Sequence, residues 1–345
     1  MAIVTLCLPV VKAFAENRPS QCAYCGSSLL QRWGKVERAV KDPHVHQALL
    51  YRYRCTDCGR TFRHYPEGLT SARQSQRLVQ LAVLCWVLGL SLRGTSAILS
   101  VFPVELSHTS IWWDVQALSA RLKRRLPRQV RVLGVDGVYP KLHGQEQHTL
   151  NAVDLGSGKP VALGAISEQD WRAVVKWLKP LVKALGVEVL VTDDLKELGY
   201  AARRLKLAHQ VCRFHVLRWL RRALRDLRKQ LEEEHHPLLD QVWHLMKARP
   251  PDGRMRLYEL WRGIEARRTR DEPTSPLYRL RLLILRLHDN WEKYTLDQRR
   301  GDVPATNNGT ERAIGKWRIR SHSARGFKSW AGLEAAFLAC SEALL

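Results

Sequence analysis

Residues 131–142 read RVLGVDGVYPKL, and their closely spaced aliphatic side chains are typical of a strand buried inside an α/β sheet. Residues 187–194 read VEVLVTDD and form a second run of the same kind. Asp136 lies in the first run and Asp193 near the end of the second. Taken singly, each aspartate is explained more readily as a turn or helix N-cap residue than as a functional group.

A third acid changes that interpretation. Glu311 lies in TNNGTERAIGKW, residues 306–317, where an Asn/Gly turn opens a helical stretch. Carboxylates at the ends of buried strands and on one helix face can bind two hard cations, with water completing the coordination. Two such ions about 4 Å apart activate the attacking oxygen and stabilise the leaving oxygen in phosphodiester cleavage. We therefore expect Asp136, Asp193 and Glu311 to hold two Mg²⁺ or Mn²⁺ ions.

The order of the elements places two of these acids together. After Pro127 the pattern predicts three consecutive strands, then alternating helices and strands, with the first helix ending at Gly186 and a long basic helix from about 214 to 234. Strand–strand–strand–helix–strand–helix–strand–helix is the order of the RNase-H-like fold. In that fold the first and fourth strands are neighbours, so Asp136 and Asp193 should converge.

The next segment has a different composition. Residues 236–300 are helical in pattern, rich in Arg and Leu, and broken by Pro250-Pro251 and Pro273, which indicates a helical insertion. We therefore predict an α/β fold in which an RNase-H-like catalytic core carries a helical insertion and follows a zinc ribbon and a helix-turn-helix. The predicted boundaries are 1–68 for the zinc ribbon, 69–128 for the helix-turn-helix DNA-binding domain, 129–235 for the first part of the core, 236–300 for the insertion and 301–345 for the last core helices.

Two CxxC pairs predict a metal site in the first domain. Cys22 and Cys25 form one pair, Cys55 and Cys58 the other, with 29 residues between the pairs and a Gly after each. Four thiolates close a tetrahedral structural zinc site and leave no open catalytic position. The gap is longer than in most ribbons and needs a longer hairpin, for which residues 45–55 supply the returning strand. The alternative is a reduced thiol cluster without metal. Neighbouring histidines are unnecessary as ligands: His44, His46 and His64.

Residues 73–126 predict three helices separated by Gly89 and by Phe102-Pro103. The third helix should begin near Ser107–Thr109 and present Trp112 and Trp113 to a partner. This arrangement fits a helix-turn-helix, whose recognition helix enters the major groove of DNA. The alternative is a three-helix spacer.

Charge points to a polyanionic partner. Lys and Arg outnumber Asp and Glu 56 to 33, for a net charge of +23. The basic residues cluster at 121–131, 213–229 and 316–328, with no matching acidic runs. One such run is usually a solvated helix face, but three favour nucleic acid. The basic residues that follow Glu311 either clamp phosphates or solvate a helix face: Lys316, Arg318, Arg320, His322 and Arg325.

The remaining cysteines and the hydropathy pattern indicate in which cellular compartment the protein lies. Four cysteines are scattered outside the CxxC pairs, as in an intracellular protein with reduced thiols: Cys7, Cys85, Cys212 and Cys340. Residues 1–17 faintly imitate a secretion signal but lack a positive start, and Lys12 interrupts the apolar stretch. The longest apolar run, residues 78–92, is too short to span a bilayer comfortably. We expect a cytoplasmic, nucleoid-associated protein without a membrane partner.

Two motifs make a family resemblance specific. QVCRFHVLRWLRRAL, residues 210–224, resembles the Cys-x-x-His motif of Mutator-like transposases. TNNGTERAIGKWRIRSHSARGFKSW, residues 306–330, resembles the Asn-rich helix start that carries the third acid in related bacterial insertion-sequence transposases. The resemblance covers about 60–340. It implies an RNase-H-like core with Asp136, Asp193 and Glu311 as the metal-binding triad, and Cys212 and His215 as the motif pair.

Two assignments stay open within this resemblance. The family usually has Asp-Gly where this chain has Asp193-Asp194; strand alternation from Val189 and Val191 favours Asp193, and Asp194 is the alternative. Cys212 and His215, at i and i+3 of a helix start, can face one neighbour. Because two ligands alone make no stable zinc site, we expect them close to the metals without ligating them. In this role His215 donates a catalytic hydrogen bond to a phosphate or to metal-bound water.

The resemblance implies a DDE-type DNA transposase. Such an enzyme binds terminal inverted repeats, hydrolyses the strand at the element's end, and uses the freed 3′-OH to attack target DNA with the same two ions. We expect it to act as a homo-oligomer on DNA. One alternative is a non-enzymatic DNA-binding regulator or a domesticated transposase remnant. Another is a structure-specific nuclease without strand transfer.

Overall fold

The computed structural model describes residues 8–265, 275–324 and 326–341. Within them the chain forms two compact units. One unit contains the described residues up to Arg125, the short segment Lys141–Gly144, and those from Lys316 onward. The other contains Leu126–Pro140 and the described residues of Gln145–Gly315.

The first unit opens with an antiparallel sheet in the order β1-β2-β3. Its strands are β1 (Leu30–Ala39), β2 (Gln47–Cys55) and β3 (Thr61–His64). The predicted returning strand is therefore confirmed as β2. A β-bulge interrupts the pairing of β1 with β2 between Arg32 and Gly34.

Three helices follow in the same unit: α1 (Gln76–Val87), α2 (Leu92–Leu99) and α3 (His108–Lys123). Each begins after a serine whose hydroxyl accepts a hydrogen bond from a backbone N–H at the third position beyond it, which satisfies one free donor of the first turn. α3 starts at the predicted place, after Ser107. The helices bury Leu78, Leu99 and Ile111 between them.

The second unit is built on a five-stranded mixed sheet in the order β10-β9-β4-β7-β8. β4 is antiparallel to β7 and β7 to β8, whereas β4, β9 and β10 are parallel. The predicted pairing of the first and fourth long strands is confirmed, since β4 lies beside β9. The strands of this sheet are β4 (Val132–Val138), β7 (Thr149–Asp154), β8 (Pro160–Gly164), β9 (Val189–Thr192) and β10 (Ala208–Val211). Two short strands lie outside it: β5 (Lys141–Leu142), which belongs to the first unit, and β6 (Gln145–Glu146).

Helices cover the sheet: α4 (Trp171–Leu185), α5 (Lys196–Arg204) and α6 (Arg213–Arg228). α4 ends as predicted at Gly186, which adopts φ +70° and so favours glycine. Leu133, Leu178 and Leu190 are fully buried in the core beneath α4 and α5. α6 is shorter than predicted. It ends at Arg228, and Leu231, the next apolar residue, packs partly against the neighbouring helical core after the helix has ended.

The predicted insertion is helical in its described residues and has its own core, in which Leu239, Leu257 and Ile284 pack with residues of α6. The break at Pro250-Pro251 is confirmed, whereas Pro273, Cys7 and Arg325 lie outside the described residues. After a short 3-10 helix (Glu233–His235), the helices of this segment are α7 (His236–Ala248), α8 (Gly253–Gly263), α9 (Pro276–Asp289), α10 (Trp291–Tyr294) and α11 (Leu296–Arg299). Two helices follow it: α12 (Asn308–Ser323) and α13 (Trp330–Ser341). None of the helices in the described ranges has the length and apolar character needed to cross a bilayer.

Candidate active site and zinc site

The four predicted zinc ligands lie together at the end of the three-stranded sheet. The sulfur atoms of Cys22, Cys25, Cys55 and Cys58 are all within 4.8 Å of one another. The Cys22–Cys58 and Cys25–Cys55 sulfur distances are 3.8 and 3.6 Å. A tetrahedron with Zn–S bonds of about 2.3 Å has edges of about 3.8 Å, so the cluster has the size of a zinc site.

The backbone around these cysteines favours ligation. Gly26 and Gly59 follow the two pairs at φ +75° and +70°, the conformation that closes each turn. Backbone N–H groups, first that of Cys58, lower the pKa of Cys55 to about 7. Although the Ser27 N–H opposes it, burial and the neighbouring cysteine sulfurs raise the pKa of Cys25. Because the thiolate is the form that binds metal, the shift at Cys55 assists binding, whereas Cys25 must lose its proton when the ion binds. One tetrahedral ion would use all four sulfurs and leave no open position, so the cluster suits a structural role.

The three predicted acids of the second unit also come together. Asp136 lies in β4, and Asp193 directly follows β9. Gly134 and Val191 are paired across these parallel strands, and each aspartate lies two residues beyond that pair. His215 then links Asp193 to Glu311: its Nδ1 is 2.8 Å from Asp193 Oδ1, and its Nε2 is 3.7 Å from Glu311 Oε1.

The neighbouring carboxylates affect the pKa of Asp136. Burial, followed by the negative charge of Asp193, raises the pKa of Asp136 to about 7, and Glu168 and Glu311 add to the effect. The Gly137 N–H, which donates to Asp136 Oδ1 at 2.8 Å, opposes it only in part. A partly buried set of four carboxylates is costly when all are ionised, and a bound cation relieves that cost.

Glu168 is the site residue that the sequence did not reveal. It lies in the loop between β8 and α4, and Tyr139 Oη donates a hydrogen bond of 2.6 Å to its Oε1. Its Oε2 would lie 2.1 Å from a Cβ atom added at Gly137. The absence of a side chain at Gly137 therefore lets Glu168 lie against β4 beside Asp136. The Asp136-Gly137 dipeptide was the available sequence signal, but it does not identify which side chain fills the space.

The Asn-rich motif fixes the start of the helix that carries Glu311. Asn307 is fully buried; its Nδ2 donates to the Val135 carbonyl at 3.0 Å, and its Oδ1 accepts from Thr310 Oγ1 at 2.7 Å. Its backbone N–H donates to Cys212 Sγ at 3.3 Å. Asn307 thus anchors the first turn of α12 to β4, and Cys212 anchors it to the end of β10.

Asp193 and Asp194 point to different partners. Asp194 Oδ2 accepts hydrogen bonds from Arg286 Nη2 at 2.6 Å and Tyr294 Oη at 3.0 Å, both from the helical insertion. Its charge is therefore already balanced by a cation. Asp193 faces His215 instead, which agrees with strand alternation.

His215 and Cys212 both lie beside Asp193, and one ligand atom from each of the three residues lies within 4.8 Å of the others. Hydrogen bonding to Asp193, and then to Cys212, raises the pKa of His215 to about 10 despite its partial burial. The contact between His215 Nδ1 and Asp193 Oδ1 is nevertheless poorly aligned, and neither buried atom has a well-directed hydrogen-bond partner. Asp193 Oδ1 is thus an acceptor that a cation or water would satisfy.

A cavity of about 400 Å³ joins the acids to a basic surface. Glu168, Asp193 and His215 line one part of it, and Arg218 and Arg222 line another. The two arginines are exposed and lie four residues apart on one face of α6. The arrangement can hold cations on one side and a phosphate chain on the other.

The basic residues after Glu311 divide into two groups. Lys316 and Arg318 are exposed, whereas Arg320 is buried. Arg320 Nη1 donates to the Leu90 carbonyl at 2.7 Å, and its guanidinium lies 4.5 Å from the ring centre of Trp86. Arg320 therefore stabilises the first unit and is not available as a phosphate clamp. In α3, Trp113 is 65 % exposed, as expected of a side chain that faces a partner. Trp112 is instead half-buried, and a Cβ atom added at Gly332 of α13 would lie 3.6 Å from its ring.

Comparison with known proteins bears on this site. Residues 178–335 match the Transposase IS66 family. The matched stretch is slightly less than half of the chain and contains Asp193, Cys212, His215 and Glu311, whereas Asp136 precedes it. The match supports a DDE-type insertion-sequence transposase. No curated protein matches the chain in sequence.

Proposed function

We propose that this protein is a DDE-type DNA transposase that cleaves the ends of its element and transfers them to target DNA. The observation that carries the proposal is that Asp136, Asp193 and Glu311 lie together: His215 links Asp193 to Glu311, and the charges of both acids act on Asp136. The order and directions of the five strands support an RNase-H-like core. The closer resemblance to Mutator-like transposases rests on Cys212 and His215 alone.

The residues present fit two Mg²⁺ or Mn²⁺ ions. Hard cations prefer carboxylate oxygens, and Asp136, Asp193, Glu311 and Glu168 supply them. Asp193 Oδ1 lacks a well-directed hydrogen-bond donor, and the raised pKa of Asp136 indicates a carboxylate whose charge is not balanced. When bound, the ions supply an activated nucleophile and stabilise the leaving oxygen.

The chain's own residues position the reacting groups. Asn307 holds the Glu311 helix in place, and Tyr139 holds Glu168. His215 is placed to donate a hydrogen bond to a phosphate oxygen, although its distance to Glu311 also makes it a candidate ligand. Arg218 and Arg222 are placed to neutralise the strand that leads away from the acids.

The first unit supplies DNA recognition in this proposal. A structural Zn²⁺ held by the four cysteines fixes the ribbon, and α3 reads the terminal inverted repeats through the major groove. Two element ends and a target must be brought together, which favours a homo-oligomer on DNA at the nucleoid. A non-enzymatic regulator would have no use for four crowded carboxylates, so the enzyme is the better account.

Cleavage of terminal-repeat DNA tests the proposal. Asp136→Asn keeps the shape of the side chain and removes its charge, so we expect cleavage near background and unchanged DNA binding. Asp226→Asn changes an exposed aspartate of α6 and should cleave normally. Normal cleavage by Asp136→Asn would refute the assignment of the triad.

A further inference from the structure

One face of the three-stranded sheet changes character along its length. On β2, Ala48 and Leu50 are buried, but Arg52 and Arg54, the next side chains on that face, are exposed. The opposite face of β2 buries Tyr53 and Cys55 in the core of the cysteine cluster. The face that carries the arginines is therefore open over the half of the sheet nearest the zinc site.

The strand register concentrates positive charge on this open face. Arg52 of β2 is paired with Arg63 of β3, so the two side chains are direct cross-strand neighbours. Like charges in this position destabilise a sheet. Within the described ranges neither arginine forms an ion pair: Arg52 donates to Thr61 Oγ1 at 2.9 Å, and Arg63 is exposed. No acidic side chain among the described residues of the unit therefore compensates the unfavourable pairing.

An aromatic residue completes the face. Trp33 occupies the β-bulge of β1, is 48 % exposed, and has the Arg54 guanidinium 4.8 Å from its ring centre. The stacked guanidinium is held in place while its N–H edges stay free to bond an anion. The acid of β1, Glu37, is paired with Leu49 and so belongs to the opposite face. We call Trp33, Arg52, Arg54 and Arg63 the ribbon face.

We infer that the ribbon face binds the phosphate backbone of duplex DNA. Three guanidinium groups that have no acidic partner among the described residues lie around an exposed indole and can donate charge-assisted hydrogen bonds to phosphate oxygens. Phosphate contacts position a protein without reading sequence, so the ribbon face should contribute affinity and leave base recognition to the helices. The inference rests on the proposed function, because that function makes DNA the partner.

Salt-dependent binding tests the inference on the full-length, zinc-loaded protein. The double variant Arg54→Gln/Arg63→Gln is compared with Lys35→Gln/Arg73→Gln, which removes two exposed basic residues of the same unit that lie outside the ribbon face. Affinity for a terminal-repeat duplex is measured by fluorescence anisotropy at several salt concentrations. Zinc content and cleavage at saturating DNA are measured on the same preparations.

Each lost phosphate contact makes the slope of log affinity against log salt shallower by about 0.9. The slope of the ribbon-face variant, which loses two contacts, should therefore be shallower than that of the unmodified protein by about 1.8. This difference in slope corresponds to binding that is roughly 60-fold weaker for the variant than for the unmodified protein at 0.1 M salt. The control should keep its slope, and Arg54→Lys/Arg63→Lys should recover most of the loss. An unchanged slope, or an equal loss in the control, overturns the inference. An unchanged slope with reduced self-association by light scattering overturns it in favour of a second copy of the chain.

These outcomes are separable from failure of the proposed function. If the ribbon-face variant binds like the unmodified protein and both cleave, only the ribbon-face assignment is wrong. If the unmodified protein binds duplex through this face but cleavage does not depend on Asp136, the proposed chemistry is wrong and the ribbon face stands.

Discussion

Replacing Asn307 with Ala should lower both stability and cleavage, because this side chain connects the Glu311 helix to the sheet. The substitution removes two buried hydrogen bonds, to the Val135 carbonyl and from Thr310 Oγ1. Each contributes about 1 kcal/mol, and the unpaired groups and the small cavity raise the total to about 3 kcal/mol. For a unit of 150–250 residues this corresponds to a melting temperature lower by roughly 6–12 °C. A displacement of Glu311 by about 1 Å would slow cleavage by about 100-fold.

Thermal unfolding and cleavage at a temperature where the variant is folded are the two assays. The matched control is Asn308→Ala, because Asn308 is adjacent and exposed. The control should melt and cleave like the unmodified protein. If Asn307→Ala were as stable and as active as the control, the anchoring role of this residue would be refuted. If it were destabilised but cleaved at the normal rate, Asn307 would be structural and would not position Glu311.

Three further predictions concern other residues. Glu168→Gln should weaken Mn²⁺ binding by about tenfold or more, measured by titration calorimetry against Glu146→Gln; equal affinities would exclude Glu168 as a metal ligand. Cys25→Ser should reduce zinc content to near zero and unfold the ribbon locally, and metal analysis that finds a full equivalent of zinc would contradict the four-thiolate site. Asp42 is fully buried, and although burial opposes it, the hydrogen bonds from Ser75, His44 and Val45 lower its pKa below the ordinary value. Asp42→Asn should therefore cost stability at pH 7, and the deficit should shrink as the pH falls below about 4.

Much of the fold was predictable because its signals are local. The Val- and Leu-rich runs around Asp136 and Asp193 became β4 and β9, and Gly186 ended α4. The predicted end of α6 was wrong because Leu231 continues the apolar spacing past Leu227, whereas the chain leaves the helix after Arg228 and Leu231 packs only partly against the core. Periodicity records which residues could be buried, and only tertiary packing decides which residues are.

The candidate site also contains residues that the sequence predicts and residues that only the structure reveals. Carboxylates at strand ends and CxxC spacing can be recognised from the sequence, because their chemistry depends on residue type and short separations. Glu168 could not be found, since its place beside Asp136 depends on a loop and on the space above Gly137. The structural role of Arg320 was equally hidden, because a buried arginine and an exposed one look alike in a basic run.

The residue at position 134 helps to decide whether a related sequence in a genome can form the same site. A Cβ atom at this position would lie 2.1 Å from Thr310 Oγ1 and 2.7 Å from Asn307 Oδ1, both in fully buried side chains. One added methyl group, a single Gly134→Ala change, would therefore push the helix start off the strand without altering any acid. If the proposed function holds, a gene copy with this change would keep all three acids, and a survey of acidic residues would count it as intact although it is inactive. Surveys of active copies should score this glycine together with the acids.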